Sequence, residues 1–526
     1  MEKLEKYLEG ELLGPSMADL EGGPRLRRGI RKLPLEIMAT IFTMVCLWEH
    51  GKPVKATWGD PGSWFLESRE SDCISPIVMR GYYWTNAPGR LAAVCRDWKQ
   101  WVYNDAALWS QILIGLGAIT LKQGLALLEI MHRTKGRKLD IRLIKESPGF
   151  GWVWGERRQE LIEKLEEAFA ERTEVLRCRV GAFYDHGFEN VREFKAVKRV
   201  TLDYLNHLDV LPTGRYEDQI RRLVQAELVT HLRLGVIFGM RGHTFTNLKD
   251  LQLSEPQRKE DFLVVVASCP NLMSLVLAVG DWEESDMEDQ ISTNPTVLPL
   301  LRTLCVCQVG FCGPCRSLFL NHITAPQLST LGIPASRHPR AEDSLHHFLE
   351  RLQCSLYALY IPYPITDLAD ADAQKKSESL ARLFTMTPDI ETLHVVMEPT
   401  PVRCDDGLEV HKAWEKLENS AVLHRLSTLV VRIGQWEQST LTPAEADTVV
   451  DGFLDAVARR IGTGQSEKGS LCSAKLLMAL ERAWGSSDEW EIGRDREEQC
   501  QRLIDLGMDV LEVQRQGSPI WTDWGR

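Results

Sequence analysis

Eight times between Val229 and Val431 the chain repeats one short pattern, hydrophobic-x-x-Leu-x-hydrophobic. The blocks are VTHLRL (Val229 to Leu234), LKDLQL (Leu248 to Leu253), LMSLVL (Leu272 to Leu277), LRTLCV (Leu301 to Val306), LSTLGI (Leu328 to Ile333), LYALYI (Leu356 to Ile361), IETLHV (Ile390 to Val395) and LSTLVV (Leu426 to Val431). Alternation about the central Leu is the signature of a half-buried strand. The central leucines recur at intervals of 19 to 36 residues, the range of leucine-rich repeats with late insertions. In four units a proline (Pro270, Pro299, Pro326, Pro388) stands two residues before the first hydrophobic position, where it ends the preceding segment and starts the strand. Apolar helical stretches, Asp261 to Ser268, Ser344 to Leu352 and Ser379 to Phe384, fall between strands. The Asn that usually follows the strand in leucine-rich repeats is absent, so the array is degenerate and its curvature cannot be read from the pattern.

The alternation of strand and helix begins upstream of the repeat. A strand is predicted at Gln111 to Ile114, a helix at Lys122 to His132, a strand at Lys138 to Leu143, a helix at Glu156 to Glu171 and a strand at Val175 to Val180. Beyond Gly434 the repeat fades. Pro443 to Ile461 reads as a helix and Leu471 to Trp484 as a strand and helix, while Cys500 to Val513 reads as a terminal helix capping the open end of the array.

Near the N-terminus the period changes to that of helices. Pro34 suits a first helical turn and Glu36 favours the positive end of the helix dipole. Ile37, Ile41, Met44, Val45 and Trp48 then share one face. Leu91, Val94, Cys95, Trp98, Trp101 and Val102 repeat the spacing, and Asp105 is placed to cap a third helix carrying Leu108, Trp109 and Ile112. Three helices this short bury little apolar surface alone, so Met38, Phe42 and the Trp residues are expected to be exposed and to seek a partner chain. Glu49 to Pro88 separates the first helix from the second and carries Gly51, Pro53, Gly59, Pro61, Gly62, Pro76 and Pro88, so it reads as a loop rather than an extra helix. Its aromatics (Trp58, Trp64, Tyr82, Tyr83, Trp84) suit either a lid on the module's own surface or a partner-docking loop.

The segments LPLEIMATIF, AVCRDWKQW and DAALW together resemble the F-box, whose pattern is Leu-Pro-x-Glu-hydrophobic, Ile-Phe, Val-Cys-x-x-Trp and finally Leu-Trp. The long insert departs from that family. The whole layout, module, helix-strand pair and irregular leucine-rich units, is similar to the large F-box family of mushroom-forming fungi. The resemblance implies an α+β (α/β repeat) architecture: an N-terminal segment and basic linker at 1–31, a three-helix module at 32–114 with its internal loop at 49–88, a degenerate repeat solenoid at 115–434 and a helical cap at 435–526. It implies that Leu33, Pro34, Ile37, Met38, Ile41, Phe42, Val94, Cys95, Trp98, Leu108 and Trp109 form the module and its surface for a Skp-family linker subunit, and through it a cullin-RING ubiquitin ligase. The solenoid would hold an unidentified target protein. A leucine-rich scaffold outside any ligase is the alternative.

Composition narrows the rest. A chain of 526 residues with 44% hydrophobic content is globular and too long for one compact core. Its net charge of -12 argues against a general nucleic-acid binder, and no polybasic membrane patch stands out. The acidic start MEKLEKYLEGELL is no signal peptide, and no run of about 18 apolar residues offers a membrane span. Thirteen cysteines without a paired framework fit a reducing compartment, cytoplasm or nucleus. The basic run Arg25 to Lys32 reads as a solvated linker.

One cluster has the residues for chemistry: Cys305, Cys307, Cys312 and Cys315, the last two in Cys-Gly-Pro-Cys. It shares its tetrapeptide with thioredoxins but lies inside a leucine-rich unit, and structural zinc loops draw their ligands from separated turns. A Gly-Pro turn with incidental cysteines is the reading, with no metal or cofactor expected. His346, His347 and His411 have no ligand-spaced partners and are expected at the surface. Absence of a nucleophile elbow, phosphate loop or carboxylate pair makes the chain a non-enzyme. The residues flanking each central Leu are expected to line the face that meets the target, and from Thr303 onward Tyr360 and His394 are its only large side chains.

Overall fold

The repeated blocks become strands because a β-chain sends alternate side chains to opposite faces, and one face of each block is apolar. The computed structural model describes residues 37–38, 42, 77–80, 83–115, 121–144, 164–165, 167–179, 195–203, 228–234, 244–257, 259–279, 295–308, 318–333, 339–352, 354–365, 382–399, 423–433, 443–462, 471–479, 494–505, 508 and 510–516. The chain divides into two compact units, Met1–Leu248 and Lys249–Arg526. Both mix helices with a predominantly parallel sheet.

In the first unit the strands are β1 (Ile77–Arg80), β2 (Tyr83–Asn86), β3 (Gln111–Gly115), β4 (Leu139–Ile144), β5 (Thr173–Arg179), β6 (Arg199–Asp203) and β7 (His231–Leu234), in the order β2-β1-β3-β4-β5-β6-β7. All neighbours are parallel except the β1–β2 hairpin. The helices are α1 (Ala87–Val94), α2 (Arg96–Asn104) and α3 (Leu121–Arg133), with further helical residues at 164–165 and 167–172. Ile112, Ile141, Leu176, Val200 and Leu232 form one register column, and all five are buried. Strand β6 is a unit that the leucine pattern does not reveal: Val197, Val200 and Leu202 occupy the three hydrophobic positions, with Val where Leu is central elsewhere.

In the second unit β8 (Asp250–Gln257), β9 (Ser274–Val279), β11 (Thr303–Gln308), β13 (Thr330–Gly332), β14 (Ala358–Ile365), β15 (Thr392–Pro399), β16 (Thr428–Ile433), β17 (Ser473–Ala479) and β18 (Val510–Gln516) are parallel in that order. A two-stranded pair, β10 (Thr296–Val297) with β12 (Ile323–Thr324), stands apart. Its helices are α4 (Lys259–Ala267), α5 (Pro339–Arg351), α6 (Pro443–Gly462) and α7 (Arg494–Asp505). Leu251, Leu275, Leu304, Leu331, Leu359, Leu393, Leu429 and Ala474 align in register and are fully buried. Each such leucine contributes about 1.5–3 kcal/mol relative to exposure.

The prolines work as turn residues. Leu272, Leu301 and Leu328 donate their N–H to the carbonyls of Cys269, Leu298 and Ala325 at 3.2, 3.3 and 3.1 Å, with Pro270, Pro299 and Pro326 at the second turn position. Fixed φ pre-organises proline for that place. Both ends of each turn are buried apolar residues, so the turn seats the first hydrophobic position of the next strand. Strand entry then follows one scheme: two successive N–H groups share the carbonyl of the preceding unit. Met273 and Ser274 donate to Lys249, Arg302 and Thr303 to Met273, Ser329 and Thr330 to Arg302, Tyr357 and Ala358 to Ser329, and Glu391 and Thr392 to Tyr357. Backbone groups are thereby satisfied where the ladder begins.

Arginines tie neighbouring segments. Arg460, at the end of α6, is buried and donates from Nη2 to the Leu423 carbonyl. Arg351, at the end of α5, donates from Nη2 to Leu320 O at 2.7 Å, and Arg172 donates to Met131 O at 2.9 Å and to Thr134 Oγ1. Each closes a carbonyl or hydroxyl of the segment before it. Burial lowers the pKa of all three, that of Arg460 to about 10.

Three expectations are corrected. The C-terminal region is no purely helical cap: the strand expected from Leu471 is β17, which with β18 extends the parallel ladder past residue 434, and the helix expected over Cys500 to Val513 ends at Asp505, with Val510 to Val513 in strand. The insert is not all loop, since its end forms the β1–β2 hairpin, β1 pairs with β3, and Pro88 lies inside α1. Within the module Ile112 belongs to strand β3, because the third helix is a single turn of 3-10 helix, Ala106–Trp109.

Candidate interaction sites

The N-terminal module is built around aromatic packing. Phe42 meets Trp98 edge-on, ring centroids 4.8 Å apart, and Trp101 at 6.5 Å. Cys95 breaks the helix that the spacing of Leu91 to Val102 suggested as continuous: its extended backbone makes it the N-cap of α2, and its Sγ accepts the Trp98 N–H at 3.5 Å. Asp105 closes α2 through its N–H to Trp101 O at 3.0 Å and caps the following turn, its Oδ1 accepting the Ala107 N–H at 3.0 Å. That turn buries Leu108 and Trp109, whose indole N–H donates to Val102 O at 2.8 Å. Arg133, in the last turn of α3, lies over the Tyr103 ring at 4.1 Å and the Trp109 ring at 5.2 Å, while Lys135 Nζ reaches Asn104 Oδ1 at 3.2 Å. These cation–π contacts fasten the module to α3. Sequence reasoning missed Arg133; a basic residue in a last helical turn ordinarily signals only the dipole.

Met38 and Phe42 are not exposed. They are 1% and 2% accessible, whereas Ile37 is 47% and Val94 53% accessible, and Cys95 is exposed beside Val94. The correction has a geometric cause. Met38 and Phe42 are four residues apart and share a stripe turned toward the Trp98 and Trp101 side. Ile37, one residue earlier, stands about 100° around the helix. Trp98 is half-buried, while Leu33, Pro34, Ile41, Trp58 and Trp64 lie outside the described residues.

In the second unit the face opposite the buried leucines bears a register row that runs Gln252, Val276, Cys305, Gly332, Tyr360, His394, Val430. Tyr360 and His394 are half-buried, with ring centroids 4.3 Å apart. The row is not uniformly open, because Val276, Cys305 and Gly332 are buried. Cys305 fills the space above the Cβ-less Gly332. Cys307 lies in the same strand, and Cys312, Cys315 and His411 lie outside the described residues. His346 is buried at 4% accessibility on the inner face of α5, against the surface expectation, while His347 is exposed and 3.3 Å from Glu350. Among the described residues no three His, Cys, Asp or Glu side chains are placed to hold a metal ion, and no helix is long and apolar enough to cross a membrane.

Comparison with protein-family models finds no match, and comparison with curated proteins finds none.

Proposed function

We propose that this chain is the substrate receptor of an SCF-type cullin-RING ubiquitin ligase: a non-catalytic adaptor whose F-box-like module holds a Skp-family linker and whose leucine-rich-repeat-like strands hold a target protein. The observation that carries the reading is the division of apolar residues in the module. Met38, Phe42, Leu108 and Trp109 make an aromatic-rich core, while Ile37 and Val94, which belong to the same sequence pattern, remain exposed. Large exposed aliphatic side chains on a small, internally packed module suit a docking surface. Tyr360 and His394 are the proposed anchors for the target, since large amphipathic side chains on a face of small residues are typical interface hot spots. Cytoplasm or nucleus is the proposed location.

Co-expression of the full chain with a Skp-family linker tests the reading; a stable stoichiometric complex on size exclusion is expected, and a linker that elutes alone refutes it. The hairpin β1–β2 favours the alternative of a scaffold outside any ligase, because it joins the module to the sheet through β3, an arrangement an ordinary F-box does not need. A folded chain that captures partner proteins without the linker would establish that alternative.

A further inference from the structure

The first unit concentrates positive charge on the sheet face turned away from its buried column. On strands β4 to β7 the arginines stand beside buried apolar residues: Arg142 lies half-buried between buried Ile141 and Leu143, Arg177 follows buried Leu176, and Arg199 and Thr201 flank buried Val200. In β7 His231 and Arg233 are half-buried and Leu232 and Leu234 buried. Register sets Arg142 beside Arg177, Arg177 beside Thr201, Thr201 beside Arg233, and Arg199 beside His231. Gln111, Leu113 and Val175 complete these rows without charge. Asp140 is their one carboxylate, 3.5 Å from Arg177. At the strand starts Lys198 and Glu174 cancel each other at 2.9 Å. Four guanidiniums therefore face one carboxylate in a chain whose net charge is -12.

Like charges opposite one another on neighbouring strands are destabilising, and Arg142 with Arg177 is such a pair. Three strand spacings of about 4.8 Å spread the row from Arg142 to Arg233 over about 14 Å. A single small anion cannot span that distance, whereas about five extended residues, at about 3.3 Å each, do. We propose that this face binds an acidic segment of a partner polypeptide, laid in extended form across β4 to β7, with Arg142, Arg177, Arg199 and Arg233 taking its carboxylates. Guanidinium matches carboxylate through paired, charge-assisted hydrogen bonds. Arg142, Arg199 and Arg233 also hold interactions within the chain, so the incoming carboxylates compete with its own groups and binding is salt-sensitive. The inference does not draw on the ligase reading and survives its failure.

The test is fluorescence anisotropy of the full chain with a labelled peptide of about ten residues, alternating Glu and Ser, long enough to cross the face. A Lys-Ser peptide and a single-stranded RNA serve as comparators. Saturable binding of the acidic peptide that weakens with salt is expected, together with about a tenfold or greater loss in Arg177→Gln/Arg233→Gln and none in Lys198→Gln. Hydrogen exchange of the wild-type chain with the acidic peptide should show protection over β4 to β7, which keeps the test decisive if the double variant does not fold. No binding, protection elsewhere, undiminished binding by a folded double variant, or RNA binding that the peptide cannot displace would each overturn the proposal.

Discussion

Tyr360 and His394 occupy the same register position on neighbouring strands, and their rings lie 4.3 Å apart with planes inclined by 39°. Two half-buried rings in contact present one continuous surface, so they are expected to act as a unit. Under the proposed function, Tyr360→Ala and His394→Ala should each lower target capture several-fold with folding and linker binding retained. Because the residues touch, the double variant should lose less than the two single effects combined, with a coupling of about 0.5–1.5 kcal/mol. Target capture after proximity labelling reads this out; additive losses would make the two rings independent.

Burial separates Met38 from Ile37. Met38→Asp places a charge in the core and should unfold the module, and Phe42→Ala should cost about 3–5 kcal/mol. Ile37→Asp, on an exposed side chain, should leave the melting temperature within a few degrees and, under the proposed function, abolish linker binding. Thermal denaturation beside a linker pull-down distinguishes the two classes.

The hairpin sets a limit on shortening the insert. Removing Gly51 to Asn86 deletes β1 and exposes the edge of β3, so that variant should aggregate or lose stability. A deletion from Gly51 to Ser75, bridged by a short Gly-Ser loop, leaves both strands and should fold, since loop length costs little entropy. Expression yield and light scattering compare the two.

Gly332 and Cys305 fit each other. A methyl group at residue 332 would lie 3.0 Å from Cys305 Sγ, so Gly332→Ala should destabilise by about 1–3 kcal/mol. Combining it with Cys305→Ala removes the obstructing sulfur and should recover most of the loss. Urea denaturation of the three variants measures the recovery.

Cys269 is buried at the turn before β9, and desolvation pushes its thiol from an ordinary value of about 9 up to about 12. The folded state therefore holds this proton more tightly than the unfolded state. Its stabilising effect is complete below about pH 9 and is lost as the pH rises toward 12. At about pH 10.5 the loss should be about 2 kcal/mol. Denaturation midpoints between about pH 8 and 10.5 should fall more steeply for the wild type than for Cys269→Ala.

Much of the strand arrangement was legible in the sequence. Period-two alternation fixes which side of a strand is apolar, and the turn prolines act within four residues, so both are local facts. The eight leucine blocks are accordingly strands, and the central Leu of each is buried. The helices offered no such certainty. Ile37 and Met38 head two apolar stripes one residue apart in the sequence, and only the position of Trp98 and Trp101 decides that Met38 and Phe42 are buried while Ile37 is exposed. The β1–β2 hairpin and strand β18 depend on pairing with neighbours that their own weak patterns do not announce. The same holds for Arg142, Arg177, Arg199 and Arg233, scattered singly along the chain. Strands were predicted around Arg142, Arg177 and Arg233 but not around Arg199, and the parallel register that gathers all four on one face is a property of the folded sheet.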